Sequence, residues 1–147
     1  MERFREGYEV INLKRFIFYL SKSHTKRILC SRALGFEEAP EAILQNAEGG
    51  GSVAISREAF WKIGGFDESF VGWGGEDNEF WERAQTRKVW PYGYLPLIHL
   101  WHDPQSGKLG RKRKTVDYYK NRSGVPVDKR IKELVVRDCG NPSKLSG

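Results

Sequence analysis

Residues 72–82, which read Gly-Trp-Gly-Gly-Glu-Asp-Asn-Glu-Phe-Trp-Glu, constrain the fold more than any other stretch of the chain. Glycine takes up positive φ at little steric cost, so Gly74 and Gly75 indicate a tight turn in which the backbone approaches a neighbouring group closely. Glu76 and Asp77 follow, and acidic residues are favoured in a first helical turn, where the macrodipole also tends to keep a carboxylate ionised. The segment therefore predicts a glycine loop that runs into a helix beginning at Glu76.

The side chains of this loop are suited to holding a sugar and deprotonating it. Trp73 offers a flat apolar face on which a pyranose ring can lie. An ionised carboxylate in the adjacent turn can accept a proton from a hydroxyl group. A purely structural interpretation is that the acidic pair caps the helix. A cap does not need a bulky aromatic residue three positions upstream, so Trp73 favours a binding site.

Further motifs stand in register with this loop. They are Gly-Gly-Ser-Val-Ala-Ile-Ser at 50–56, Phe60, Gly-Gly-Phe-Asp-Glu at 64–68 and His-Leu-Trp-His at 99–102. In this order the blocks resemble the acceptor-side, C-terminal half of glycosyltransferases with the GT-A fold. The beta-1,4-galactosyltransferases and bacterial chondroitin-type polymerases carry similar blocks, and the resemblance covers residues 50–103.

The resemblance implies an α/β fold, with a small mixed sheet and flanking helices. It also implies that the nucleotide-binding half is absent, because the chain contains no Asp-x-Asp motif. A length of 147 residues favours one domain. We expect a truncated or lone acceptor-side domain with a helical lead-in over 1–47, the catalytic motifs over 48–107 and a basic C-terminal segment over 108–147.

The reaction implied by the resemblance is transfer of a sugar from a nucleotide-sugar donor, a UDP-sugar, to a hydroxyl of a glycan acceptor. Asp77 would be the general base, and the Glu-Asp pair resembles that of inverting enzymes. Glu76 would hydrogen-bond the acceptor sugar, and Trp73 would stack on it or contact the donor. The pair Gly50 and Gly51 would lie beside the donor sugar. The full set of implied substrate-binding residues is Trp73, Glu76, Gly50, Gly51, Gly74 and Gly75.

The same resemblance implies a divalent metal site. A histidine that follows the strand after the acidic helix would be a ligand, and the alignment favours His102, with His99 as the fallback. Neutral imidazole suits Mn²⁺. The second protein ligand belongs to the missing Asp-x-Asp motif, so metal binding by the chain alone should be weak. A lone histidine more often has a structural, hydrogen-bonded role.

Charge leaves other partners open. The formal net charge is +6 and the pI is about 9.4. Basic residues concentrate at 108–114 and 120–132, but nothing resembles a base-reading module, so nucleic acid is an unlikely partner. A charge run is usually a solvated face. In the enzymes that the chain resembles, a loop that covers the donor occupies the position of residues 108–114. Three hypotheses therefore remain: a transferase domain completed by a donor-binding half or a homo-oligomer, a non-catalytic glycan-binding module, and a basic interaction protein.

Cellular location follows only weakly from the sequence. No stretch approaches 18 apolar residues and the first residues lack a signal-peptide core. Cys30 and Cys139 lie far apart without metal-type spacing, as expected for thiols in a reducing compartment. We expect a cytoplasmic protein, and peripheral attachment to a membrane stays open.

Local patterns give the remaining elements. Before residue 46 they predict a helix over 8–22 with Lys14 off its apolar stripe, a turn over 21–27, a strand or coil over 28–34 and a short helix over 39–45. After it they predict a strand over 52–55, a helix over 57–63 capped by Ser56, a helix over 76–87 and a strand over 90–98. Phe60, Ile63, Phe80, Trp81 and Ala84 should face the core. Phe66 and Phe70 should be packing anchors, and Asp67 should be structural or solvated. Glu79 and Arg83 should form a weak helical pair if exposed.

Overall fold

The computed structural model describes residues 1–31, 38–45, 52–91, 93, 95–104 and 114–137. Within these ranges six helices and six strands alternate along the chain. In chain order they are α1 Glu2–Arg5, β1 Val10–Asn12, β2 Lys14–Tyr19, α2 Lys22–Ser31, β3 Ala42–Gln45, β4 Val53–Ile55, α3 Arg57–Lys62, α4 Glu76–Ala84, β5 Val89–Trp90, β6 Leu95–His99, α5 Lys114–Ser123 and α6 Val127–Val135. This mixed content confirms the predicted α/β class.

The described strands form two three-stranded sheets, with orders β4-β1-β5 and β3-β2-β6. In the first, β1 is antiparallel to β4 and parallel to β5, and Val10 pairs with both Ile55 and Val89. In the second, β2 is antiparallel to β3 and parallel to β6, and Tyr19 pairs with both Ala42 and His99. The central strands β1 and β2 are separated by Leu13 alone, so that residue marks the junction of the sheets.

The predicted helix over 8–22 is wrong, because this stretch forms β1 and β2. Val10, Ile11 and Asn12 are all buried, since the strand is covered on both faces and does not alternate. Such a run cannot be distinguished from a buried helix by periodicity alone. Lys14 was expected on the polar side of a helix, yet it is buried.

Two neighbouring predictions are also wrong. The short helix over 39–45 is the strand β3, because it pairs along the edge of β2. The helix α2 starts after Ser21 and runs to Ser31, where the sequence predicted a turn over 21–27 and a strand or coil from 28 onward. Ser21 Oγ accepts a hydrogen bond from the His24 amide at 3.0 Å, which is the bond of a helix N-cap. The lead-in, expected to be helical, therefore contains the strands β1, β2 and β3 as well as the helices α1 and α2.

Later elements agree with the sequence patterns. Ser56 caps α3, with its Oγ accepting from the Ala59 amide at 3.2 Å. The predicted strand over 90–98 is divided between β5 and β6. The buried core cluster is Val10, Ile63, Phe80, Trp81 and Ala84, with Val53, Ile55, Phe60 and Val89 packed against it. The inward positions predicted on α3 and α4 are thus confirmed.

The helices α5 and α6 pack against α4. Tyr119 on α5 donates its hydroxyl to Glu82 Oε1 at 2.5 Å. Arg130 on α6 reaches the other oxygen of Glu82 at 2.6 Å and Glu79 Oε1 at 3.3 Å. No helix in the described ranges is long and apolar enough to cross a membrane.

Candidate active site at the start of helix α4

A left-handed glycine turn leads into α4. Gly72, Gly74 and Gly75 have φ values of 112°, 109° and 91°, and Gly75 is the N-cap residue. Side-chain-bearing residues rarely take such angles, which explains the glycines. The predicted loop and the helix start at Glu76 are therefore confirmed.

The glycines at 74 and 75 also allow a close approach, but the neighbouring group is α5. A Cβ atom placed on Gly74 would lie 3.1 Å from Cγ2 of Val116, and one on Gly75 would lie 2.6 Å from Cβ of Tyr119. In the described structure, the space that these glycines leave is filled by protein. Their predicted contact with substrate stays a prediction.

Glu76 supports the turn through its carboxylate. Its Oε2 accepts a hydrogen bond from the Gly74 amide at 2.7 Å. This is the behaviour expected of an acid that stabilises a helix N-terminus. A role of Glu76 in holding a sugar stays a prediction.

Asp77 lies at the wall of a cleft of about 360 Å³. The described residues that line the cleft are Leu13, Ser52, Val53, Ile55, Phe60, Phe66, Asp77 and Phe80. Asp77 is the charged member of this set, and its side chain is exposed to solvent on the open side. An apolar cleft with one carboxylate at its edge can receive a ligand that has an apolar face and a hydroxyl group.

The pKa of Asp77 is raised above its ordinary value. Desolvation by the surrounding protein is the largest cause, and repulsion from the neighbouring Glu76 carboxylate adds to it. The charge of Lys14 acts in the opposite direction and limits the rise. The helix macrodipole was expected to favour ionisation, but desolvation and Glu76 outweigh it. A raised pKa makes the ionised carboxylate a stronger base.

Phe66 is an exposed aromatic residue that lines the cleft together with Asp77. Phe66 lines the cleft, is 53% exposed and stacks on Phe80 with ring centroids 4.4 Å apart. Trp73 is 43% exposed and is not among the described lining residues. Phe66 was expected to be a packing anchor, and it does pack on Phe80. The sequence signal for the exposed face of Phe66 is its position in the Gly-Gly-Phe-Asp-Glu turn, between two glycines and two acidic residues.

Lys14 is a second residue that the sequence patterns missed. It begins β2, directly after the sheet junction at Leu13, and its side chain is buried. Its charge acts on Asp77 across the cleft region. Lys14 pairs with Leu95 of β6, far away in the sequence, so no local signal could have identified it.

The two candidate metal ligands lie near each other at the end of β6. The His99 and His102 rings are 5.3 Å apart, His99 stacks on Tyr19, and His102 is exposed. His102 Nδ1 lies 2.9 Å from the carbonyl oxygen of Asp103, which favours Nε2 for a ligand. No group of three or more His, Cys, Asp or Glu side chains in the described ranges could hold a metal ion. Neither imidazole is among the described cleft residues.

Several predicted features lie outside the described residues. They are residues 32–34 of the predicted strand or coil, Gly50, Gly51, residues 108–113 of the basic run and Cys139. Cys30 is described and is a free, exposed thiol.

Comparison with known proteins points to one enzyme class. Residues 38–92, which include Phe66 and the acidic loop with Asp77, match a family model described as the N-terminal domain of galactosyltransferase. Human beta-1,4-galactosyltransferase 4 is 31% identical over 75 residues, which are 50% of this chain and 20% of the relative. The matches support a glycosyltransferase.

Shorter matches reach two further enzymes. Validoxylamine A glucosyltransferase of Streptomyces hygroscopicus subsp. jinggangensis is 53% identical over 38 residues, 26% of this chain and 9% of the relative. Human beta-1,4-galactosyltransferase 5 is 50% identical over 37 residues, 25% of this chain and 10% of the relative. The matched part of this chain is thus a fifth or less of the length of these relatives. No solved structure matches the chain.

Proposed function

We propose that this chain forms the acceptor-side part of a GT-A glycosyltransferase that moves a sugar from a UDP-sugar to a glycan hydroxyl with inversion. The observation that carries the proposal is the Asp77 carboxylate, which lies at a cleft within the segment that matches galactosyltransferases. The donor and acceptor classes come from the similarity to these enzymes.

In the proposed reaction, Asp77 accepts the proton of the acceptor hydroxyl while that oxygen attacks the anomeric carbon of the donor. The bond from this carbon to the diphosphate breaks in the same step, and the diphosphate leaves with the bonding electrons. Attack from the opposite side inverts the configuration. The raised pKa of Asp77 makes it a stronger proton acceptor, and Lys14 helps to keep it ionised.

The acceptor sugar would lie with one face on Phe66, which is held by its stack on Phe80. The exposed indole of Trp73 and the carboxylate of Glu76 border the glycine turn and would contact the acceptor or the donor beyond the cleft. The glycines at 50, 51, 74 and 75 keep their proposed place beside the substrates. In this arrangement, Phe66 orients the hydroxyl toward Asp77.

A divalent ion, Mn²⁺ in the first instance, would be held by His102, with His99 as the fallback. The described residues do not supply a sufficient ligand set, so the remaining ligands would come from outside them. When bound, such an ion stabilises the negative charge of the departing diphosphate.

The donor would be bound by a separate half, because the matched segment is a small part of the related enzymes. That half would belong to another segment, to a partner or to a second copy of the chain. We place the activity in polysaccharide biosynthesis, in the cytoplasm or at the membrane surface.

The test is sugar transfer from UDP-galactose and UDP-glucose to N-acetylglucosamine and to glucose, with Mn²⁺, by the chain joined to its donor-binding half. Asp77→Asn should lower kcat by about 10²- to 10⁴-fold, because the base is lost. Asp117→Asn is the matched control, since Asp117 is an exposed acid in the first turn of α5. Equal turnover by wild type and Asp77→Asn would exclude Asp77 as the base.

The second candidate function is a non-catalytic glycan-binding module. It is favoured by the exposed rings of Phe66 and Trp73, which both precede Asp77 in the chain. Such a module would bind the same sugars in a titration that follows tryptophan fluorescence, and that binding would survive in Asp77→Asn. It would release no UDP under any of the conditions above.

A further inference from the structure

We propose that α5 acts as a clamp on the glycine turn, with Thr115 as the positioning residue that fixes Asp77 for catalysis. This inference rests on the proposed function. It concerns a helix that lies beyond residues 38–92, the range that matches galactosyltransferases. The clamp would therefore be a feature of this chain that the matched segment does not contain.

The turn needs support from outside because its own backbone is unusually free. Three of its four residues are glycines with positive φ, and glycine loses more conformational freedom on folding than any other residue. Within the turn, the Gly74 amide donates to Glu76 Oε2 at 2.7 Å. That bond ties the turn to the first residue of α4, but it does not hold the preceding carbonyl.

Thr115 supplies this missing restraint. Its hydroxyl donates to the carbonyl oxygen of Trp73 at 2.6 Å, and its side chain is buried. The carbonyl of Trp73 belongs to the same peptide group as the Gly74 amide. A single peptide plane is thus held on one side by Thr115 and on the other by Glu76, which fixes the direction from which the chain enters α4.

The rest of α5 presses on the same turn. Val116 and Tyr119 occupy the space that side chains at Gly74 and Gly75 would fill. The Tyr119 hydroxyl also donates a hydrogen bond to Glu82 Oε1 at 2.5 Å, further along α4. The helix therefore contacts the turn and α4 together, so that a movement of α5 would displace Asp77 relative to the cleft.

The test combines amide hydrogen exchange with sugar transfer in the full chain. Thr115→Val removes the hydroxyl and keeps the shape, whereas Thr115→Ser keeps the hydroxyl. In the valine variant, the Gly74 amide should exchange about 3- to 10-fold faster, because one hydrogen bond that resists opening is lost. The Glu79 amide, which bonds to the Gly75 carbonyl at 3.0 Å inside α4, should change little, and the serine variant should exchange like wild type.

Kinetics then separate positioning from a general loss of structure. With UDP-galactose and Mn²⁺, Thr115→Val should lower kcat and leave the KM of the donor unchanged, and Thr115→Ser should restore kcat. Thr86→Val is the matched control, because the Thr86 hydroxyl donates to the Arg83 carbonyl at 2.7 Å at the far end of α4. This control should alter neither kcat nor exchange at Gly74.

The clamp is overturned if the folded Thr115→Val variant exchanges its Gly74 amide at the wild-type rate. If that variant does not fold, Val116→Ala replaces it, and the same acceleration at Gly74 is expected because a contact on the turn is removed. If the wild-type chain joined to its donor-binding half transfers no sugar, the proposed function fails. Exchange at Gly74 still decides whether Thr115 holds the turn.

Discussion

Arg83 and Glu79 form a buried ion pair one turn apart in α4, with Nη2 of Arg83 2.7 Å from Oε2 of Glu79. The two side chains are 0% and 1% exposed. Arg130 of α6 adds a second guanidinium, 3.3 Å from the other oxygen of Glu79. A pair at this spacing is worth only a few tenths of a kcal/mol when exposed. Here one carboxylate instead joins two buried arginines on two helices.

Glu79→Gln should destabilise the fold by about 3–5 kcal/mol, because it leaves two buried guanidinium groups without their shared counter-charge. Urea denaturation followed by tryptophan fluorescence measures this loss. The control is Glu133→Gln, which breaks an exposed pair with Arg122 of similar length, 2.6 Å. The control should lose far less stability. Similar losses of stability in both variants would show that the buried ion pairs contribute no more than the exposed pair.

Asp67 is a second buried acid that joins distant parts of the chain. Its Oδ1 accepts from Arg137 at 2.7 Å and from the Ser69 amide at 3.0 Å, and its Oδ2 accepts from the Tyr118 hydroxyl at 3.2 Å. Burial by itself would raise the pKa of Asp67. The hydrogen bonds from Arg137 and Ser69 and the charge of Arg137 outweigh burial, so the pKa lies below its ordinary value. The sequence-based expectation of a structural role is confirmed.

The lowered pKa of Asp67 predicts a loss of stability in acid. In the unfolded chain this carboxyl titrates near its ordinary value of about 3.9. Its stabilising contribution is therefore complete above that pH and disappears as the pH falls toward the lower folded-state pKa. Free energies of unfolding from urea titrations between pH 2.5 and 7 should fall less steeply below pH 4 in Asp67→Asn than in wild type. Parallel curves would contradict this prediction.

Local signals in the sequence were sufficient for α3 and α4. The cap at Ser56, the glycine pair at 64 and 65 and the glycine turn before Glu76 each determine the backbone within a few residues. The strands before residue 46 were not predictable in this way. Their hydrogen bonds join β2 to β3 and β6 across long sequence separations, and such pairing overrides the local helical spacing.

The same distinction applies to the candidate site. The sequence selected Asp77 as a candidate base from its neighbours alone, and the structure places it at a cleft. It placed Lys14 on a polar surface, since the burial of that residue depends on how two sheets meet at Leu13. The role of Trp73 as an aromatic platform stays a prediction, and the structure adds Phe66 as an exposed ring that lines the cleft.

The position of Phe66 predicts which aromatic residue determines acceptor affinity. Phe66→Ser should weaken binding of N-acetylglucosamine by about fivefold, because a stacking face worth about 1 kcal/mol is removed. Trp61→Ser is the matched control: Trp61 is also 53% exposed and also contacts Phe60, but it is not a described cleft residue. Calorimetric titration measures both variants. Equal weakening by the control would indicate that the cleft is not the acceptor site.

Lys14 predicts a shift in the pH dependence of the reaction. Its positive charge lowers the pKa of Asp77, so Lys14→Met should raise that pKa further and move the acid limb of kcat/KM to higher pH. The plateau at high pH should keep its height, because Asp77 is ionised there in both proteins. A ¹³C NMR titration of the Asp77 carboxyl measures the same shift without turnover. Lys22→Met is the control, since Lys22 is exposed and lies over the Trp101 ring, and it should leave the titration unchanged. If the pKa of Asp77 stays constant or falls in Lys14→Met, the charge of Lys14 does not lower the pKa of Asp77.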